Sequence, residues 1–268
     1  MTMLGAIIGD IAGSRFEHNN CKSKDFTFFS LWDSMTDDSI MSLAVAKALL
    51  SCREDRSDLG AQAVFWMQKL GRMFPDRGFG GHFKIWLNRE HPCPYGSWGN
   101  GAAMRVSACG WAGNSLQEVK KLAKAVTEVS HNHEEGMKGA QAVAAAVYLA
   151  RTGSSKEQIR ACMEKDYYSL TFTLDGIRDF YQFDVSCQGS VPPAIEAFLE
   201  ADSFQDAIRN AISIGGDSDT IAAITGSIAE AFYGIPAELR KEALTYFDSQ
   251  ILLEILREFE EKYPPVIL

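Results

Sequence analysis

The amino-acid sequence predicts an all-α fold, a compact multi-helix bundle, and three observations carry that reading. Apolar side chains recur at mixed three- and four-residue spacing through most of the chain, the period of one helix face. Two of these runs open on caps, Thr36 and Asn114-Ser115, whose side chains suit the free N–H groups of a first turn. Strand signals are scarce, and only residues 26–32 read as extended.

The elements follow in order. A first helix carries Gly5, Gly9 and Gly13 at four-residue intervals. Each glycine costs up to ~1 kcal/mol in a helix interior, so a helix that keeps three of them is expected at the centre, where small side chains let axes approach. Residues 38–50 place Ile40, Met41, Leu43, Val45, Ala48, Leu49 and Leu50 at helical spacing, and a further helix reads at about 58–70. Residues 116–130 start after Asn114-Ser115 and carry Leu116, Val119, Leu122, Ala123 and Val126. The helix at 136–151 includes Gly139 to Ala150, with six alanines, and reads as another central element. Helices at about 155–164, 192–200, 204–213, 219–232 and 238–262 complete the set. Loops fall at 14–36, 71–101 and 164–191, and long loops in a compact domain are disproportionately functional. No Pro/Gly/Ser linker interrupts the pattern, so residues 1–268 read as one domain.

Composition sets outer bounds. A chain of 268 residues, 46% hydrophobic and 23% charged, has the make-up of an ordinary globular protein with a sizeable core. Its 26 Lys+Arg against 35 Asp+Glu give a net charge of −9, which excludes the broad basic footprint of a duplex-binding domain. A small anionic substrate stays open, because a metal or backbone N–H groups can supply local positive potential. The longest apolar stretch is about a dozen residues, against the ~20 that span a bilayer. Met1–Gly5 shows no cationic segment or cleavage site, and the six cysteines are scattered without a CxxC pair. These features read as reduced thiols in a cytoplasmic protein without a zinc site.

Two short motifs carry the strongest chemical signal. Thr36-Asp37-Asp38-Ser39 sits immediately before an amphipathic helix, and Gly215-Gly216-Asp217-Ser218-Asp219-Thr220 opens the helix at 219–232 in the same way. Each alone reads as a cap, since Thr is a natural N-cap and acids favour a first turn. Together they hold more than caps need: adjacent carboxylates repel, and a cap uses one oxygen. Carboxylate and hydroxyl oxygens without His or Cys form a hard-cation donor set, suited to Mg²⁺ or Mn²⁺ and unsuited to zinc. If the fold brings both helix starts together, their four carboxylates could hold two cations about 3.5–4 Å apart, as in two-metal sites.

Other segments admit a plain and a chemical reading. Glu17 is a solvated loop carboxylate or, beside a metal centre, a general acid or base or a partner for a substrate hydroxyl. Asp10 reads as a structural cap or a support behind the metal ligands. The segment Ser97-Trp98-Gly99-Asn100-Gly101-Ala102-Ala103-Met104-Arg105 is a turn, or a cradle of backbone N–H groups for phosphate with Trp98 as a stacking face. Ser130-His131-Asn132-His133 lacks a third soft ligand nearby, which leaves a His that hydrogen-bonds phosphate or ribose, or a structural one.

Taken together, GDxxGSxxE at 9–17, TDDS at 36–39, SWGNGAAMR at 97–105, SHNHEEGMKGAQAV at 130–143 and GGDSDT at 215–220 resemble the ADP-ribosylglycohydrolase family in order and spacing. The likeness covers nearly the whole chain. It implies the family's all-α fold, a dinuclear Mg²⁺ centre (Mn²⁺ as the variant metal) and cleavage of the N- or O-glycosidic bond between ADP-ribose and an acceptor. It implies Thr36, Asp37, Asp38, Asp217, Asp219 and Thr220 as metal ligands. Substrate would lie along Ser97, Trp98, Gly99, Asn100, Gly101 and Met104, with His133 nearby. The nitrogenase-regulating members carry an acidic residue where this chain has Ser97, whereas the branch that removes ADP-ribose from serine carries Ser there and a Glu in the GSxxE motif. On that likeness Glu17 is the candidate catalytic carboxylate, and an O-linked substrate is expected over an arginine-linked one. The implied partner is ADP-ribose or an ADP-ribosylated substrate, with no extended nucleic-acid surface and no membrane.

The runner-up is a non-enzymatic ADP-ribose binder that keeps the fold, against which the complete ligand set and Glu17 argue. A phosphotransferase reading of Asp217-Ser218-Asp219 needs a strand before the motif, where the pattern is helical. A His-Asp phosphohydrolase fails because the chain has no His-Asp dipeptide.

Overall fold

The computed structural model describes residues 2–265. Their long elements are all helical: α1 (Leu4–Ser14), α2 (Asp37–Ser51), α3 (Leu59–Met73), α4 (Gly81–Asn88), α5 (Gly101–Met104), α6 (Ser107–Ala112), α7 (Leu116–Thr127) and α8 (Glu134–Arg151) in the first part. Then come α9 (Lys156–Asp166), α10 (Leu174–Ile177), α11 (Cys187–Leu199), α12 (Phe204–Ser213), α13 (Ser218–Tyr233), α14 (Ala237–Ala243) and α15 (Gln250–Lys262). Among the described residues the only extended pairing outside named strands is one antiparallel bridge, Gly99 with Ser186. The all-α expectation holds.

The glycine stripe of α1 explains the centre of the molecule. A Cβ at Gly9 would overlap the Ala222 carbonyl of α13, and one at Gly13 would lie 2.6 Å from the Asp219 Cα. Gly226 of α13 comes as close to the Gly5 carbonyl from the other side. The two backbones therefore touch, and no side chain larger than hydrogen fits at these crossings. The contact fixes the C-terminal end of α1 against the N-terminal end of α13, which is where the acidic motifs meet. Helices α8, α11 and α12 pack around α13, while α2 lies between α1, α3 and α15. The alanine-rich face of α8 is buried in the same contiguous core.

Three segments differ from the sequence expectation. Residues 26–32 form bends and a turn, not a strand, because no neighbouring strand offers a ladder. Arginine side chains satisfy the backbone there: Arg209 donates to the Lys24 and Phe26 carbonyls at 2.8 and 2.7 Å, and Arg15 donates to Thr27 O. The helix expected at 192–200 begins five residues earlier, at Cys187, and carries Pro192 and Pro193 inside it. Proline removes an i→i−4 donor, and the Gly189 carbonyl that Pro193 leaves free accepts instead from the Tyr181 hydroxyl at 3.0 Å. The helix expected over 238–262 is broken by a 3₁₀ turn at Leu244–Tyr246 and by extended Phe247. The break carries Tyr246 onto the 28–30 loop, where its hydroxyl donates to Ser30 O at 3.0 Å and its ring lies 5.4 Å from Phe29. Helix α4 stands inside the loop expected at 71–101, and the short α10 inside that at 164–191. Among the described residues no helix is long and apolar enough to cross a membrane.

Candidate active site

Local chemistry brings the two acidic motifs together. Thr36 caps α2: its Oγ1 accepts from Asp38 N at 3.3 Å and donates to Asp10 Oδ1 at 2.6 Å. Asp10, fully buried in α1, also accepts from the Thr36 and Ser39 amides at 2.9 and 3.1 Å and from the Ser39 hydroxyl. A carboxylate of α1 thus holds the start of α2. At the start of α13 the chain turns through Gly215 and Gly216, with φ of 69° and 78°, a region that costs glycine nothing. A Cβ at Gly216 would also overlap the Tyr181 ring. Asn20 clamps this turn, accepting from Gly216 N at 2.8 Å and donating to Gly216 O at 2.9 Å and Phe16 O at 2.7 Å. The loop bearing Glu17 is thereby tied to the turn bearing Asp217.

Six carboxylates converge: Asp10, Glu17, Asp37, Asp38, Asp217 and Asp219. Ligand oxygens of Asp10, Asp38 and Asp219 lie within 4.8 Å of one another, and those of Glu17, Asp217 and Asp219 do so too. Asp219 belongs to both groups. Among the described residues no Lys or Arg pairs with any of the six; His18 lies 3.7 Å from Glu17. Burial first, then the neighbouring charges, push the Asp38 and Asp219 carboxyls well above the usual range and Asp37 up to about 8. Asp10 rises only to about 6 because Ser39 and Thr36 hydrogen bonds oppose its burial. Glu17 is raised by burial and by the Asp217 charge. Asp38 Oδ1 is buried without a hydrogen-bond partner. A buried anionic cluster with no counter-charge calls for protons or cations. Its all-oxygen donors could hold hard divalent cations.

The cluster forms one wall of a cavity of about 370 Å³. Glu17, Asp37, Asp38, Asp217, Asp219 and Thr220 line it on that side, and Ser97, Gly99, Asn100, Gly101 and Met104 line it further out. The 97–101 segment is pinned by the chain entering α11: Asn100 N–H donates to Val185 O at 2.7 Å and Cys187 N–H to Trp98 O at 2.9 Å. The Asn100 amide donates to Asp217 Oδ2 at 2.6 Å and Ser190 Oγ at 2.9 Å, so it joins the glycine loop to the carboxylates.

Several expected residues stand elsewhere. Thr36 lines a neighbouring cavity instead of this one. Trp98 is half exposed and does not line the cavity, with its ring 5.3 Å from that of His133. His133 caps α8, its Nδ1 accepting from Glu135 N at 3.1 Å, and does not line the cavity. The helix after Gly-Asn-Gly is only four residues long, so it supplies little dipole for an anion.

The positive charge comes from Arg105, which sequence reasoning passed over. Its guanidinium is wholly buried, donates from Nη2 to Ser130 Oγ at 2.8 Å and lies 3.1 Å from His131 Nδ1. Its Nε and Nη1 have no partner. Burial lowers it to about 10, so it is still a cation at neutral pH. His131, also lining the cavity, is held well below the usual range by burial and by Arg105, and is neutral. The Arg105 donor assigns Nδ1 as acceptor and leaves the proton on Nε2. A single arginine in the apolar run Ala102-Ala103-Met104-Arg105-Val106 was the available signal; nothing in the sequence separates His131 from His133.

Comparison with known proteins agrees with this fold. The family model described as ADP-ribosylglycohydrolase matches residues 1–264. The chain is similar to ADP-ribosylhydrolase ARH3 of Gallus gallus, with 30% identity over 84% of this chain and 78% of the relative. It is also similar to ADP-ribosylarginine hydrolase Tri1 of Pseudomonas putida (strain GB-1), with 26% identity over 98% of this chain and 78% of the relative. A solved structure titled ADP-ribosylglycohydrolase-related protein complex shares the fold, with a TM-score of 0.63, 21% identity and 96% of each chain covered.

Proposed function

The chain belongs to the ADP-ribosylglycohydrolase family, and we propose that it hydrolyses the glycosidic bond between ADP-ribose and an acceptor, using two divalent cations and favouring O-linked over arginine-linked acceptors. One observation carries this reading: a single cavity has five carboxylates without a lysine or arginine partner on one wall and a buried, partly unpartnered guanidinium on another. That polarity suits a ligand with ribose hydroxyls at one end and a diphosphate at the other.

Asp37, Asp38, Asp217 and Asp219, with the hydroxyls of Thr36 and Thr220, would hold two Mg²⁺ or Mn²⁺ ions. The orphaned Asp38 Oδ1 supports this, as does Thr36, whose hydroxyl proton is turned to Asp10 and whose oxygen keeps a lone pair. Bound there, the cations offset the carboxylate charge and supply Lewis acidity to the ribose hydroxyls. Asp10 acts behind them by fixing the α2 start. Arg105 lends its positive charge to the diphosphate from within the cavity wall, and the Gly99–Gly101 backbone and the His131 Nε2–H line its path. Met104 and the apolar Phe183 and Val185 border the remaining volume. Glu17 stands at the carboxylate end without a hydrogen-bonded cation. It positions water against the anomeric carbon: the carbon–acceptor bond breaks, the water oxygen bonds to carbon, and Glu17 carries the water proton to the leaving oxygen. Ser97, a neutral hydroxyl where arginine-directed members carry an acid, supports the O-linked preference. The likeness to Tri1 supports arginine linkage as the second reading. The scattered unpaired cysteines support a reducing, cytoplasmic setting, and the site draws on helices from α1 to α13, which supports one domain over 1–268.

The test is hydrolysis of serine-linked, arginine-linked and O-acetyl ADP-ribose with Mg²⁺, before and after chelation. Turnover of the O-linked substrates, lost on chelation, is expected. No turnover of any of the three overturns the proposal.

A further inference from the structure

We propose that Asn20 is a positioning residue: its side-chain amide holds the backbone that carries Glu17 at one setting against the turn that carries Asp217. The inference rests on the hydrolase reading above and adds how the catalytic carboxylate of that reading is kept in place.

Glu17 needs support from outside its own side chain. It lies past the end of α1, on a stretch without regular structure that runs to α2. An oxygen of its carboxylate lies within 4.8 Å of oxygens of Asp217 and Asp219, and in the ionised state the three repel. Among the described residues that carboxylate pairs only with His18, at 3.7 Å, and the His18 ring is largely exposed. A carboxylate so placed keeps its position only if its backbone is held.

Asn20 holds it. The Asn20 Nδ2 donates to Phe16 O at 2.7 Å and to Glu17 O at 3.1 Å. The same amide pairs with the Gly216 peptide in both directions, donating to its carbonyl at 2.9 Å and accepting from its N–H at 2.8 Å. Three carbonyls on one side and an N–H on the other allow a single orientation of the amide. Gly216 immediately precedes Asp217, so one side chain spans the backbones of two carboxylates that repel. The turn is shaped around it: a Cβ at Gly215 would lie 2.9 Å from Asn20 Oδ1.

Lys22 anchors the same loop a second time. Its Nζ donates to Ile214 O at 2.5 Å, Tyr181 O at 2.7 Å and Arg178 O at 2.8 Å. Ile214 and Arg178 cap the ends of α12 and α10, whose last carbonyls a lysine suits. Both anchors therefore grip the chain around the α12–α13 turn, and of the two only Asn20 bonds the Glu17 peptide. A reacting group displaced by about 1 Å loses on the order of a hundredfold in rate, so the Asn20 amide is where the loop geometry enters the chemistry.

The experiment is a double-mutant cycle on the substrate that the wild type cleaves, read in single turnover with Mg²⁺. Asn20→Ala removes all four bonds and should lower kcat by about 10–100-fold, as loss of an orienting partner does. KM should change less than about threefold, because the cavity wall that meets ADP-ribose is untouched. In Glu17→Gln the same substitution should lower the remaining rate by less than about threefold, since the group it positions is already gone. Hydrogen exchange without substrate gives a second readout: Gly216 N–H and the 16–22 segment should exchange faster in Asn20→Ala, while α1 and the body of α13 keep wild-type protection. Asn20→Asp, of the same size but without the N–H donors, should repeat the pattern.

Equal fold-losses in the wild-type and Glu17→Gln backgrounds overturn the inference, because Asn20 would then act on the whole site and not through Glu17. So do a full kcat in Asn20→Ala, a loss confined to KM, or a failure of both variants to fold. A wild type that cleaves no linkage brings down the hydrolase reading and this inference with it, whereas an active wild type with an unaffected Asn20→Ala brings down this inference alone.

Discussion

Thr220 of α13 donates its hydroxyl hydrogen to Asp38 Oδ2 of α2 across 3.1 Å, joining residues 182 positions apart. The bond closes the acidic cluster: it fixes the starts of two helices face to face and sets Asp38, Asp217 and Asp219 around one space. The cluster gains its cohesion from such neutral donors, since among the described residues no basic side chain pairs with it.

Asp219 sits in both carboxylate groups, so its removal should separate activity from stability. Asp219→Asn is expected to lower kcat more than ~100-fold, beyond what loss of a group merely supporting a metal ligand does. The same change removes one charge from a buried, repelling set. The metal-free variant should therefore melt several degrees above the metal-free wild type. Thermal unfolding in chelator checks the second half and turnover with Mg²⁺ the first.

Divalent cations should stabilise the wild type without substrate. A ligand that binds only the folded state contributes RT ln(1 + [L]/Kd), about 2.7 kcal/mol at a hundredfold excess over Kd. Mg²⁺ or Mn²⁺ added to stripped protein is expected to raise Tm, while NaCl at equal ionic strength is not. Equal responses to both salts would count against a cation site.

The α1–α13 contact should be intolerant of any side chain. Gly9→Ala places a methyl on the Ala222 carbonyl, and overpacking of this kind costs about 1–3 kcal/mol or more. Gly60→Ala is the control: its Cβ would meet nothing closer than 3.5 Å, and alanine should add up to ~1 kcal/mol of helix stability. Denaturant melts of the two variants should move in opposite directions.

Glu230, at the far end of α13, should make stability fall with rising pH. Burial raises its carboxyl to about 7, against which the Gly5 N–H bond at 2.8 Å acts only in part. An exposed Glu in the unfolded chain titrates near 4.5. Between those values the folded state keeps a proton that the unfolded state has lost. The contribution is full below about pH 4.5 and is lost as pH rises through about 7. Glu230→Gln should flatten this trend and be the more stable protein above pH 7 by on the order of 3 kcal/mol. Melting both proteins from pH 5 to 9 in Mg²⁺ reads the difference directly.

The parts of the fold and site that could be read from sequence are those with local causes. The caps at Thr36 and Ser115, the alanine face of α8 and the Gly5-Gly9-Gly13 stripe each state a helix or a close approach within a few residues. The acidic motifs carried their chemistry in residue type alone. What escaped depends on contacts across the chain. Pro192 and Pro193 are tolerated inside α11 because Tyr181 reaches Gly189, a hydrogen bond no local pattern announces. Residues 26–32 look like a strand until Arg15 and Arg209 take the backbone carbonyls. His131 lines the cavity in place of His133 because Arg105 and Ser130 hold it there. Asp10 joins the cluster through the α1–α13 glycine contact, which brings its helix alongside Asp219.

The most direct measurement is release of free ADP-ribose from a peptide ADP-ribosylated on one serine, followed chromatographically for wild type, Glu17→Gln and chelator-treated wild type. The account predicts steady release by the wild type with Mg²⁺, strong loss in Glu17→Gln, and loss on chelation that Mg²⁺ restores. Release that persists undiminished in chelator and in Glu17→Gln would contradict it.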